Sequence, residues 1–118
     1  MAADRQWLLE SLRKSLEALA LPGPLALKRM PHGTVRADEL ALGFDNFYTA
    51  FCGNFGSQLS QVQLDALAEV DRLLSDMSGS RNAPLWEDQA VIEHPRWLKV
   101  RNAARVAMDR LGWAVPDA

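Results

Sequence analysis

The sequence predicts an all-α protein: a bundle of four main helices with one or two short ones. Three observations carry that expectation. Leu occurs 18 times and Ala 17 times, against 10 for Val, Ile and Thr together. Unbranched side chains lose little rotamer freedom in a helix, whereas β-branched ones suit strands. Four stretches also repeat apolar residues at the helical period, and Pro or Gly stops them.

The first helix is read over about residues 4–20. Leu8, Leu12, Leu16 and Leu19 form its stripe, Trp7 and Leu9 widen it, and Glu10 and Lys14 make a favourable i, i+4 pair. Pro22-Gly23-Pro24 ends it. Residues 25–36 lack a clean period and read as a loop or short extended piece, turning near Pro31-His32-Gly33. The second helix is placed at about 38–54, with Leu40, Phe44, Phe47, Phe51 and Phe55 on one face and Ala41, Tyr48 and Cys52 beside them. Asp38 suits its N-cap, while Gly43 leaves open a start at Asp45.

The third helix, about 61–78, has the best start signal. Ser60-Gln61-Val62-Gln63 is a capping box, with Leu59 and Leu64 at the staple positions. Leu64, Leu67, Val70, Leu74 and Met77 follow, and Gly79 suits the left-handed residue after a helix. Residues 79–94 form a connection with one short helical turn near 87–92. His94-Pro95 opens the fourth helix, about 95–111, striped by Trp97, Val100, Ala104, Ala107 and Leu111. Gly112 ends it, and Trp113 folds back on its last turn.

At 118 residues the chain makes one domain, residues 1–118. Its 48% apolar and 24% charged residues are ordinary for a globular protein and exclude a disordered or collagenous chain. No apolar run approaches the roughly 18–20 residues of a membrane span. No secretory signal is read at Met1-Ala2-Ala3-Asp4-Arg5, and Cys52 is the one cysteine, so no internal disulfide forms. A cytoplasmic location is expected.

Catalytic and metal motifs are absent from the expectation. His32, His94 and Cys52 lie in separate segments without metal-ligand spacing, so no metal or cofactor is predicted. Cys52 reads as a small buried hydrophobe rather than a nucleophile. Gly53-Asn54-Phe55-Gly56 matches no phosphate-binding pattern and reads as a helix end. Asp38, Glu39 and Asp45 read as capping or solvated carboxylates.

Charge and tryptophan are more informative. Asp65, Glu69 and Asp76 share the face of the third helix that points away from its apolar stripe, interrupted by Arg72. Asp71, Glu87, Asp88 and Glu93 extend the acidic character, whereas the fourth helix carries Arg96, Lys99, Arg101, Arg105 and Arg110. Two readings compete: solvated faces with salt bridges between these helices, and a polarised surface that steers a charged partner. Trp86 lies outside any periodic segment, either as a plug over the core or as an exposed anchor. Nucleic acid is disfavoured by the net charge of −2 and the absence of a helix-turn-helix.

Ala37-Asp38-Glu39-Leu40-Ala41-Leu42-Gly43-Phe44-Asp45, then Met77-Ser78-Gly79, then Leu85-Trp86 leading to Pro95-Arg96-Trp97, resemble as a set a family of small, mostly helical bacterial proteins without an assigned biochemical activity. The resemblance spans roughly residues 37–113. It implies a helical fold and carries over no catalytic residue. Proteins of this kind are similar in size and acidity to toxin-immunity proteins.

Together these observations predict a non-enzymatic protein-binding module, of the immunity type, for a basic protein partner. Its binding residues are Asp65, Glu69, Asp76, Trp86, Glu87 and Asp88. The competing expectation is a small enzyme or ligand-binding domain with a pocket between the second and fourth helices, lined by Tyr48, Cys52 and Trp97. A homodimer is a further option if part of the aromatic stripe is exposed.

Overall fold

Four long amphipathic helices and two short ones follow from that apolar patterning. The computed structural model describes residues 4–31 and 33–116; His32 lies outside the described residues. Among the described residues there is no strand, and no helix is long and apolar enough to cross a membrane. The long helices are α1 (Arg5–Ala20), α3 (Arg36–Phe55), α4 (Gln61–Asp76) and α6 (Pro95–Arg110). The short ones are α2 (Gly23–Lys28) and α5 (Asp88–Glu93), and 3-10 turns occupy Gly56–Gln58 and Ser80–Trp86.

The stripes are mostly where the periodicity puts them, except that Trp7, expected to widen the first, is exposed. Leu8, Leu12, Leu16 and Leu19 of α1 are buried, as are Leu40, Phe44 and Phe51 of α3. Leu67, Val70 and Leu74 of α4 and Trp97, Val100, Ala104 and Ala107 of α6 complete the core. No polar or charged residue is buried among those described. α1 is the central element, packed against α3 on one side and α6 on the other, while α4 lies along α6 and α2 against α5. Each fully buried Leu or Phe contributes about 1.5–3 kcal/mol relative to exposure, so this stripe-on-stripe packing, not helix propensity, sets the arrangement.

Capping chemistry fixes the ends. The Asp4 carboxylate accepts from the Trp7 amide at 3.1 Å. At α4 the Ser60 hydroxyl accepts from the Gln63 amide and the Gln63 side chain accepts from the Ser60 amide, as the capping box requires. His94 caps α6, its Nδ1 accepting from the Arg96 amide at 3.1 Å. At the far end Trp113 N–H reaches the Met108 carbonyl and Gly112 N–H the Asp109 carbonyl, with Gly112 at φ 78°. That is a Schellman closure, and only glycine adopts its left-handed residue without strain.

Three local expectations are corrected. Residues 25–36 do not start as loop: Gly23–Lys28 is helical, because Pro24 sits in the first turn, where its missing N–H has no intrahelical partner to lose. A six-residue helix is too short for its period to show. The second predicted helix starts at Arg36, after Val35, so Asp38 is not its N-cap. Asp38 and Glu39 occupy the first turn instead, where their charge favours the helix dipole. Gly43 stays helical within α3 rather than delaying its start. Finally, α4 stops at Asp76, with Met77 as its C-cap, so Gly79 (φ 103°) opens the following 3-10 turn instead of closing the helix.

Candidate docking groove between α4 and α6

Where α4 lies along α6 their outer edges diverge, leaving an open groove of about 600 Å³. Its floor is apolar: Ala66, Leu73 and Met77 from α4 and its cap, Ala103 and Val106 from α6. Val106 is 48% exposed although it faces the groove with a purely aliphatic side chain. Glu69, Arg72 and Asp76 form the α4 wall, and Arg96, Lys99 and Asn102 form the α6 wall.

The α4 wall is a ladder of charges one helical turn apart. Arg72 binds Glu69 in bidentate fashion, Nε to Oε1 at 2.6 Å and Nη2 to Oε2 at 3.0 Å. Its Nη1 then reaches Asp76 Oδ2 at 3.0 Å. The Arg72 hydrogen bonds hold the Glu69 carboxyl below its ordinary range and push the guanidinium up. Arg96 crosses from α6, but its Nη1 donates to the Asp76 main-chain carbonyl at 3.2 Å rather than to a carboxylate. Among the described residues no carboxylate of α4 makes an ion pair with α6. The salt bridges anticipated between these helices are replaced by pairing within α4.

Trp86 closes one end of this arrangement from behind. It is half-buried; its indole N–H donates to the Met77 carbonyl at 2.8 Å, and its ring meets Trp97 edge-on with centroids 5.5 Å apart. Met77 is both groove floor and core, at 1% exposure. Trp86 thus supports the groove floor through Met77, and its indole is committed inward.

Of the six residues singled out from the sequence, Glu69 and Asp76 line the groove and Trp86 buttresses it. Asp65 is exposed one turn before Glu69, its Oδ1 accepting from Gln61 Nε2 at 2.7 Å, and extends the same face beyond the lining. Glu87 and Asp88 are exposed but not part of the lining, and Asp88 pairs with Arg36 at the start of α3. The α6 wall was not anticipated as part of the site. Its basic character shows in the sequence, but only the packing sets Arg96 and Lys99 opposite Glu69 and Asp76.

Tyr48, Cys52 and Trp97 are not brought to one pocket. Trp97 is 4% exposed, donates its indole N–H to the Leu85 carbonyl at 2.7 Å, and lines a recess of about 100 Å³ in which neither Tyr48 nor Cys52 takes part. α1 packs against both α3 and α6, the two helices expected to flank that pocket. Tyr48 instead stacks on Phe44 at 5.1 Å. Burial pushes the Cys52 thiol up, and burial followed by the nearby Cys52 and Asp71 pushes the Tyr48 hydroxyl up. Both groups are held protonated at neutral pH. Among the described residues no group of three or more His, Cys, Asp or Glu is placed to hold a metal ion.

Fold and groove define a small all-α bundle with a solvent-open, charge-walled cleft between two antiparallel helices. No family model, no curated protein and no solved structure matches the chain.

Proposed function

We propose that this chain is a non-enzymatic protein-binding module of the cytoplasm, docking a partner on α4 and in the α4–α6 groove. The observation that carries the proposal is an apolar floor left open to solvent between charged walls, a combination that suits a partner's apolar side chains flanked by charges. The partner is basic where it faces α4, because Asp65, Glu69 and Asp76 present three carboxylates there against one Arg72. Arg96 and Lys99 on the opposite wall repel a uniformly basic surface and so restrict orientation. Neutralising a basic bacterial toxin by occlusion is the specific form of this activity that the size and acidity of the chain suit.

The test compares the tagged chain with an Asp65→Lys, Glu69→Lys, Asp76→Lys variant as baits in lysate of the source organism at about 150 mM salt. A stoichiometric basic partner should be captured by the natural chain and lost by the variant, with the helical circular-dichroism signal unchanged. Equal capture by both baits overturns the proposed face. A Val106→Glu variant probes the groove floor separately, and it should weaken the same partner without touching the acidic wall.

A further inference from the structure

α1 and α3 run antiparallel, with Trp7 beside Phe47 at one end and Lys14 near Glu39 further along, and a second groove of about 250 Å³ lies between them. Leu40, Phe47 and Ala18 give it an apolar lining. Trp7 stands edge-on to Phe47 at 5.6 Å, yet is 58% exposed, the largest side chain on the surface to be so. Lys14 on the α1 side and Glu39 on the α3 side are both exposed, and neither makes a salt bridge among the described residues. On α1, Glu10 and Glu17 pair with Arg13, and Glu17 also with Arg29. The two charged residues that line this groove, one cation and one anion on opposite walls, thus make no salt bridge among the described residues, although Glu10 feels the Lys14 charge through space.

The geometry points to a second copy of this chain as the occupant, in a two-fold dimer whose axis runs along the α1–α3 groove. Such an axis carries α1 of one copy onto α3 of the other at the same height. It sets Trp7 on Phe47 of the second copy and Lys14 on Glu39 of the second copy, each contact occurring twice. A single operator therefore covers the exposed aromatic and neutralises both charges. Gly43, between the two contacts, keeps the surface low; a Cβ there meets nothing within 4 Å inside the chain, so the fold itself does not need its absence. The lining shares no residue with the α4–α6 groove, so each copy keeps its docking groove open.

Sedimentation velocity on the full chain, over about 1 µM to 1 mM, tests the dimer. The natural chain should show a concentration-dependent monomer–dimer equilibrium. Lys14→Glu and Glu39→Lys should each weaken it by about tenfold or more, since like charges then face each other at both contacts. Mixing the two variants should restore it as a heterodimer, because opposite charges again meet at both places. Trp7→Ala should weaken association while leaving the circular-dichroism spectrum intact. A natural chain that stays monomeric throughout, a dimer indifferent to both reversals, or a mixture that fails to restore association would each overturn the proposal.

Discussion

The indole N–H of Trp86 donates to the main-chain carbonyl of Met77 at 2.8 Å, tying the 3-10 turn before α5 to the end of α4. The Met77 carbonyl lies past the last turn of α4, where intrahelical donors have run out. Trp86→Phe keeps an aromatic ring against Trp97 but removes the donor, and should cost about 1 kcal/mol in urea-induced unfolding. Trp86→Ala also removes the ring, and should cost about 3 kcal/mol. Equal losses for the two variants would show that the hydrogen bond contributes nothing of its own.

That same bond shows what the sequence conveys and what it withholds. The stripes of α1, α3, α4 and α6 repeat over four turns or more, so the direction of their buried faces was legible, although Trp7 turned out exposed and Met108 buried; the capping box at Ser60 and the glycine closure at Gly112 are local signals read correctly. α2 was missed because six residues hold too little period, and because Pro22-Gly23-Pro24 signals an end and a beginning equally well. The exposed position of Asp65, Glu69 and Asp76 followed from helical phase alone. Their neighbours across the groove did not, since Arg96 and Lys99 lie 20 or more residues further on and meet α4 only through packing. Trp86 ends a 3-10 stretch whose sequence carries no apolar period, so nothing in the local pattern says which way its side chain turns.

Gln63 does more than complete the capping box. Its Oε1 accepts from the Ser60 amide, while its Nε2 donates to the Arg110 carbonyl at 3.1 Å, linking the start of α4 to the end of α6. Ser60→Ala should therefore cost about 1 kcal/mol, the ordinary value of an N-cap side chain. Gln63→Ala, which loses both bonds, should cost at least as much. Chemical denaturation of the two single variants and the double variant measures this, and the double should fall short of the sum because the cap is reciprocal. Strict additivity would mean that the two halves of the box act independently.

Two glycines should respond to alanine with opposite signs. A Cβ on Gly23 would lie 2.6 Å from both the Ile92 Cα and the Val91 carbonyl oxygen, main-chain atoms that cannot turn aside. Gly23→Ala must then separate α2 from α5, and should destabilise by about 1–3 kcal/mol. Gly43 is inside α3 with open space where its Cβ would be, so Gly43→Ala should stabilise by about 0.5–1 kcal/mol through helix propensity. Thermal unfolding at low protein concentration separates this from any effect on self-association. A stabilised Gly23→Ala would show that the contact between α2 and α5 is loose.

Asp71 should make the chain less stable at neutral pH than an uncharged residue would. Burial, followed by repulsion from Asp45, pushes its carboxyl above the ordinary aspartate range. A carboxyl whose pKa is higher in the folded than in the unfolded state penalises the fold once it ionises. The penalty is absent below the unfolded value of about 3.9 and fully present above the folded one. Asp71→Asn should thus raise the unfolding temperature near pH 7 and give no such gain near pH 3. Glu69 carries the opposite sign: Arg72 lowers its pKa, so its contribution is present at neutral pH and lost as pH falls through the folded value. Glu69→Gln should therefore lower the unfolding temperature near pH 7, and the loss should shrink as the pH falls below the ordinary glutamate range, opposite in sign to Asp71→Asn. Measuring both variants at the two pH values distinguishes titration from packing, because a packing change would shift the unfolding temperature equally at each.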